Sequence, residues 1–289
     1  MTDDHITDAQ FRRMVEIIEG QVGIKLPPSK RTMVESRLRK RVRALGLPHL
    51  AAYGLGYLES GRVPPDELVH LIDCVTTNKT DFFREPTHFE LLRDRIVPEI
   101  LTRRSGRDKP LKVWSAACST GAEPYTIAMV MAEMARDTRF RFDILGTDIS
   151  TEVLAKARRG VFPADMAEPI PPTWRARYLM TPRDRSRGDV RIVPELRAGL
   201  RLARLNLMDA SYPVDADMDV IFCRNVLIYF EREVQQQVLR RLCSHLRPGG
   251  YHFLGHSESM AANQGLDMQQ VLPTVYQSGE RRPVQRTAA

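Results

Sequence analysis

Residues 112–125, Lys-Val-Trp-Ser-Ala-Ala-Cys-Ser-Thr-Gly-Ala-Glu-Pro-Tyr, constrain the fold more than any other stretch of the chain. Val113 to Ala116 read as a short strand, Ala117 to Gly121 as a turn of small residues that lets a ligand approach the backbone, and Glu123-Pro124 as the first turn of a helix. A helix N-terminus behind such a turn favours negative charge, which makes phosphate the default ligand. The residues argue against phosphate. The loop has neither G-x-G-x-x-G nor G-K-[ST], and Glu123 places a carboxylate where a phosphate would sit. A carboxylate suits a cationic ligand, although Glu123 is also well placed simply to complement the helix dipole.

From Leu111 onward, strand-like and helix-like segments alternate: Leu111–Ala116, a helix to Met134, Phe142–Thr147, a helix from Thr151 to Arg159, Val220–Cys223, a helix from Glu233 to Leu246, and Tyr251–Leu254. Such alternation predicts an α/β fold with an open, mostly parallel sheet. The preceding residues carry helical periodicity instead. Thr7-Asp8-Ala9-Gln10 fits a capping box ahead of Phe11, Met14, Val15 and Ile18, and a second helix over residues 29–45 aligns Val34, Leu38, Val42 and Leu45. Helical patterns recur over residues 50–58 and 65–74. The expected organisation is a helical domain with linker over 1–90 and an α/β domain over 91–289. Within the latter, residues 160–204 form an inserted antiparallel β-subdomain, marked by six prolines and by strand-like runs at 190–193 and 199–203. The tail over 279–289 reads as disordered by composition.

Of 289 residues, 43% are hydrophobic and 27% charged, ordinary values for a globular chain. The N-terminus lacks a basic segment followed by an apolar one, and no run approaches the roughly 18 apolar residues of a membrane span, so a cytoplasmic protein without membrane insertion is expected. Cys74, Cys118, Cys223 and Cys243 are widely spaced, which predicts reduced thiols and neither a disulfide framework nor a zinc site. A net charge of +7 predicts attraction to an acidic partner without naming it.

The second candidate strand ends in Gly146-Thr147-Asp148. In a βαβ unit an acidic residue at that position accepts the ribose hydroxyls of a nucleoside, and Asp148 is equally placed to help begin the helix near Ser150; the two roles are compatible. A nucleoside-binding carboxylate beside a second carboxylate, Glu123, makes S-adenosylmethionine the leading candidate: a nucleoside, a sulfonium and an amino-acid tail.

Several segments together resemble one family, the CheR chemoreceptor glutamate methyltransferases. They are Thr76-Thr77-Asn78-Lys79-Thr80-Asp81-Phe82-Phe83-Arg84-Glu85, the loop from Trp114 to Tyr125, Gly146 to Ser150, Asn206-Leu207, Phe222 to Phe230, and Gly255-His256-Ser257-Glu258-Ser259, in the family's order. The resemblance implies a class I, Rossmann-like methyltransferase sheet. It also implies methyl transfer from S-adenosylmethionine to glutamate side chains of methyl-accepting chemotaxis receptors, giving a glutamate methyl ester and S-adenosylhomocysteine with no metal. By motif match, Asn78, Thr80, Arg84, Ala116, Glu123, Asp148, Asn206, Leu207, Arg224 and Asn225 would contact the cofactor, and Arg84 and Tyr229 would flank the reacting centre. A monomer recruited to cytoplasmic receptor arrays is implied.

Between Lys25 and Arg43 stand eight basic residues and one acidic residue, Glu35. Such a run is commonly a solvated face. The resemblance adds a second reading, in which Arg37, Lys40, Arg41 and Arg43 dock the acidic helices of the receptor. The insert resembles a subdomain that in some relatives binds a receptor tail, but its loop over 181–188 is basic and has a single glycine. A nucleic-acid methyltransferase would also suit the charge, yet it generally needs [DNS]-P-P-[YFW] where Phe222-Cys223-Arg224-Asn225-Val226 stands, and no nucleic-acid partner is expected. A non-catalytic relative that binds receptor or cofactor is the other alternative; the retained Arg84, Asp148 and Tyr229 speak against it.

Overall fold

The computed structural model describes residues 4–59, 61, 63–104, 109–184, 188–260 and 265–279. Residues 280–289 of the expected disordered tail and 185–187 of the basic loop lie outside the described residues. The chain opens with α1 (Asp8–Val22), α2 (Arg31–Ala44), α3 (Leu50–Tyr53), which runs on into a π-turn, and α4 (Pro65–Val75). The predicted capping box is present, with Thr7 and Gln10 exchanging side-chain and backbone hydrogen bonds. The apolar stripes meet in one core that includes Phe11, Met14, Ile18, Val34, Leu38, Tyr53, Leu71 and Val75. At its edge Glu67, 4% exposed, accepts from Tyr53 Oη at 2.9 Å and pairs with Arg41 at 2.6 Å.

This helical core closes at Val75, earlier than the boundary of 90 expected from the sequence. Phe82 and Phe89 already belong to the core of the next domain. So do α5 (Pro86–Leu91) and α6 (Val97–Arg103), which are joined by a π-turn over Leu92–Ile96 and deliver Leu92, Ile96, Val97 and Ile100 to the same core.

The main sheet comprises β1 (Leu111–Ala116), β2 (Phe142–Asp148), β6 (Leu200–Arg204), β7 (Met218–Cys223), β8 (Leu246–Leu254), β9 (Met268–Leu272) and β10 (Val275–Ser278), in the order β6-β2-β1-β7-β8-β10-β9. The first five of that order are parallel, while β10 is antiparallel to both its neighbours. Crossovers run through α7 (Ala122–Thr138), α8 (Thr151–Arg159) and α11 (Arg232–Ser244). Successive strand residues feed opposite faces, as a period of two requires: Val113, Val220 and Phe222 lie in one apolar cluster, Trp114, Ile221 and Cys223 in the other.

The insert contains β3 (Val161–Pro163), α9 (Pro172–Tyr178), β4 (Leu179–Met180), β5 (Asp189–Ile192) and α10 (Pro194–Ala198), its three strands forming a small antiparallel sheet. The run at 199–203 was expected to belong to this insert. It is instead β6, which pairs in parallel with β2 from Ile144 to Asp148 and completes the edge of the main sheet. Leu200 is buried against that sheet while Arg201, Ala203 and Arg204 are exposed, the mixed pattern of an edge strand. The insert therefore ends near 198.

Strand order reverses between β1 and β7: the chain leaves β1 toward β2 on one side, and leaves β7 toward β8 on the other. The loops at the carboxyl ends of these two strands splay apart there and leave a crevice. Among the described residues no helix is long and apolar enough to cross a membrane.

Candidate active site

The loop after β1 holds its shape at a conformational cost. Ala117, Ser119 and Gly121 all have positive φ (57°, 52° and 95°). At Gly121 an added Cβ would meet Ala157 Cβ at 2.9 Å, so the close approach of α7 to α8 needs glycine there. The loop is tied down on two sides. Ser119 N donates to Asp148 Oδ2 at 2.8 Å, and Ser119 Oγ donates to the Asn78 carbonyl at 2.9 Å.

Asp148 uses its second oxygen to accept from Ser150 N at 2.9 Å, while Ser150 itself caps α8 by accepting from Val153 N. The carboxylate thus helps shape the turn and still lines the crevice, 8% exposed. Burial pushes its pKa up, against the pull of the backbone N–H groups of Ser150 and Ser119.

Facing Glu123 across the switch point is Arg224, which follows β7. Its side chain is 1% exposed, and it pairs with Glu123 Oε2 at 3.3 Å and Glu85 Oε2 at 3.1 Å. It also donates to the Arg84 carbonyl and lies 5.3 Å from the centre of the Phe89 ring. Glu123 in turn accepts from Ser115 Oγ at 2.7 Å. Burial raises the pKa of Glu123, and Arg224 opposes the rise. For Glu85, burial acts upward but Arg224, Asn225 and the His256 N–H outweigh it and hold the carboxyl below its ordinary value.

Asn225 has φ 58° and is held from both ends. Its Nδ2 donates to Glu85 Oε1 at 3.1 Å, and its backbone N–H donates to Glu258 Oε2 at 2.9 Å. Glu258 receives three more backbone donors, from Gly255, Val226 and Leu227, at 2.7–2.9 Å. One buried carboxylate therefore fixes the whole turn that presents Asn225 and Tyr229. Sequence reasoning assigned Glu258 no role; it stands inside a quoted motif, but its four partners emerge only when the turn is folded.

The walls of the crevice, which opens to solvent, come from both domains. Asn78, Thr80, Arg84, Glu123, Asp148, Asn206, Leu207, Arg224, Asn225 and Tyr229 all line it, so the structure brings together all but one of the residues expected at the cofactor and the reacting centre. Ala116 is the exception. Strand alternation turns it into the core cluster with Trp114 and Cys223, and Ala117 lines the crevice in its place. Sequence reasoning also missed Val22, Ile24 and Lys30, which the helical domain contributes. Lys30 Nζ lies 4.9 Å from the centre of the Tyr229 ring, Lys25 N donates to the Tyr229 carbonyl, and Asn206 Nδ2 donates to the Gln21 carbonyl.

The four basic residues proposed for docking divide in two. Arg37 donates to the carbonyls of Cys74 and Thr76, and Arg41 pairs with buried Glu67, so both hold the helical domain together. Lys40 and Arg43 are exposed, and all four border a broad groove that meets the crevice at Thr77, Asn78 and Lys79.

Residues 78–275 match the family described as CheR methyltransferase, SAM binding domain, and residues 9–76 match its all-alpha domain. The chain is 42% identical over 256 residues to the chemotaxis protein methyltransferase of Escherichia coli K12, covering 89% of this chain and 86% of that protein. It is 37% identical to chemotaxis protein methyltransferase 2 of Pseudomonas aeruginosa, covering 94% of each. It is 34% identical to the chemotaxis protein methyltransferase of Borreliella burgdorferi, covering 94% of this chain and 95% of that protein.

Glu258→Gln replaces an acceptor oxygen with an amino group that faces two backbone donors. The expected cost is about 2 kcal/mol in urea unfolding, with faster hydrogen exchange at residues 225–229. Unchanged protection of those amides would show that the turn does not depend on the carboxylate.

Proposed function

Since the chain belongs to the CheR methyltransferase family, whose members use S-adenosylmethionine, we propose that it methylates glutamate carboxylates on chemotaxis receptors, yielding glutamate methyl esters and S-adenosylhomocysteine. The observation that carries this reading is the chemistry of the crevice wall. Arg84, Lys30, Lys79 and Tyr229 line it beside the carboxylates of Asp81, Glu123 and Asp148, and no histidine does among the described residues. Such a wall suits an anionic nucleophile that needs no general base, and a glutamate, with an ordinary pKa of about 4.3, is already ionised at neutral pH.

S-adenosylmethionine, when bound, supplies a methyl group on a positively charged sulfur. The residues present fit it. The loop over Ala117–Gly121 admits a ligand to the backbone, Asp148 offers a nucleoside-binding carboxylate, and the Glu123–Arg224 pair presents both charges needed by a zwitterionic amino-acid tail. Asn78, Thr80, Asn206, Leu207 and Asn225 complete the set that would hold it.

Catalysis by this chain is then chiefly positioning. Arg84, whose guanidinium reaches the crevice and donates to the Lys79 carbonyl at 3.2 Å, orients the substrate carboxylate. It should hold that carboxylate loosely, because negative charge is lost on the way to the transition state and a tight ion pair would stabilise the ground state more. Tyr229 forms the opposing wall, steadied by Lys30. Lys40 and Arg43, free of the internal pairings that occupy Arg37 and Arg41, supply the positive field that draws acidic receptor helices to the groove.

The deciding assay uses tritiated cofactor and receptor-containing membranes. Base treatment should release volatile methanol from carboxyl methyl esters, and Arg84→Lys should lower kcat/KM for receptor by about 100-fold; label that survives base would contradict the assignment. Affinity for the cofactor should depend on pH in a stated direction. The raised pKa values of Glu123 and Asp148 mean that protonation begins above the ordinary carboxylate range, so calorimetry should show binding weakening as pH falls toward that range. Glu123→Gln should bind more weakly with a flatter profile, and a profile as steep as that of the wild type would remove Glu123 from the cofactor's charge recognition. The double variant K40E/R43E should raise the receptor KM several-fold and flatten its salt dependence without changing cofactor affinity. An unchanged salt dependence would separate this helix from docking.

A further inference from the structure

Beside the crevice, and outside its lining, Glu85, His88 and His256 converge so that one ligand atom from each lies within 4.8 Å of the others. We propose that this cluster is a binding site for a divalent transition-metal ion, with Glu85 Oε2, His88 Nδ1 and His256 Nε2 as its protein ligands. The site plays no part in the reading of the reaction given above.

Thr274 donates its hydroxyl hydrogen to the Pro273 carbonyl at 2.7 Å, so toward His88 Nε2, 2.9 Å away, the hydroxyl oxygen is an acceptor. In the tautomer that this arrangement favours, Nε2 carries the proton of the neutral imidazole and Nδ1 carries a lone pair. His88 is 3% exposed, and its Nδ1 has no hydrogen-bond partner. It stands 3.5 Å from Glu85 Oε2, which is buried, ion-paired with Arg224 and outside hydrogen-bond geometry with any partner. Two lone pairs facing each other in a low-dielectric interior repel, and a cation between them removes the conflict.

The distances suit a metal. Bonds of about 2.0–2.2 Å in tetrahedral geometry put neighbouring ligand atoms roughly 3.3–3.6 Å apart. Glu85 Oε2 to His88 Nδ1 is 3.5 Å and Glu85 Oε2 to His256 Nε2 is 3.7 Å. The His256 side chain is 62% exposed, which gives its ring the freedom to close the remaining separation and opens a path for the ion from solvent. The hydrogen bond from His88 Nε2 to Thr274 is the outer-shell contact that orients a ligating imidazole. Two imidazoles and one carboxylate favour zinc, cobalt or nickel over magnesium or calcium. Arg224 Nη2, 3.1 Å from the same Glu85 oxygen without hydrogen-bond geometry, competes with the ion and moderates its affinity.

Titration of the untagged full chain with Co²⁺, followed by visible absorption, tests the site. Saturable d–d bands of nitrogen- and oxygen-ligated cobalt are expected, displaced by Zn²⁺. His256→Ala should weaken the binding by about 10-fold or more while leaving the circular dichroism and melting curve unchanged. Thr274→Ala, which frees the His88 tautomer, should weaken it by a similar factor and serves if the first variant misfolds. Absence of the bands, equal titration of wild type and His256→Ala, or an intense thiolate-to-cobalt charge-transfer band would each overturn the proposal.

Discussion

A buried guanidinium organises this molecule. Arg224 leaves the end of a central strand at the place where strand order reverses, and it is met there by Glu123 from the neighbouring crossover and Glu85 from the interdomain segment. A buried ion pair of this kind adds little net stability, since desolvation consumes most of the attraction. Removing either partner, however, strands a buried charge at a cost of about 3–5 kcal/mol. Its value is in fixing geometry. Three segments far apart in sequence are forced to one point, and the backbone carbonyl of Arg84 is drawn in with them. Arg84 therefore presents its own side chain to the crevice from a peptide that Arg224 holds in place.

The helical domain is part of the same construction. The end of α1 and the connection to α2 lie against the crevice wall through the Lys30–Tyr229 contact and the hydrogen bonds that join Lys25 to Tyr229 and Asn206 to Gln21. Tyr229 is thus supported from the domain that also carries the exposed basic residues. The division of labour along α2 follows from partners: Arg37 and Arg41 find carbonyls or Glu67, while Lys40 and Arg43 stay exposed at the groove.

How much of this could be read from the chain depended on sequence distance. Glu123 and Asp148 were legible because each sits at a fixed place in a strand-turn-helix unit, where local chemistry and position agree. The parallel sheet was legible from alternation alone. Arg224 could be placed at the crevice, but its pairing with Glu85 joins the end of β7 to the interdomain segment before α5, and no local pattern encodes it. Ala116 was misplaced because a strand's last residue can face either side, and the alternation sends it inward. The strand at 199–203 was misassigned because an edge strand with exposed arginines has the same composition as an insert. Helices α5 and α6 went unread: Pro98 resembles a stop signal, and the π-turn before it accommodates the proline.

Five of the eight non-glycine residues with positive φ among the described residues, Phe83, Glu85, Ala117, Ser119 and Asn225, belong to the segments that build the crevice or its flank. Each would relax if replaced by glycine, since glycine alone meets no steric penalty there. An engineer seeking a hardier protein would thus be drawn to these positions first. The gain would be deceptive, because at Glu85 and Asn225 the side chain anchors the turn, and at Ala117 and Ser119 a glycine would leave the cradle more conformations to visit. Robustness in this chain is better sought on the outer faces of helices other than α2, away from the crevice and the groove.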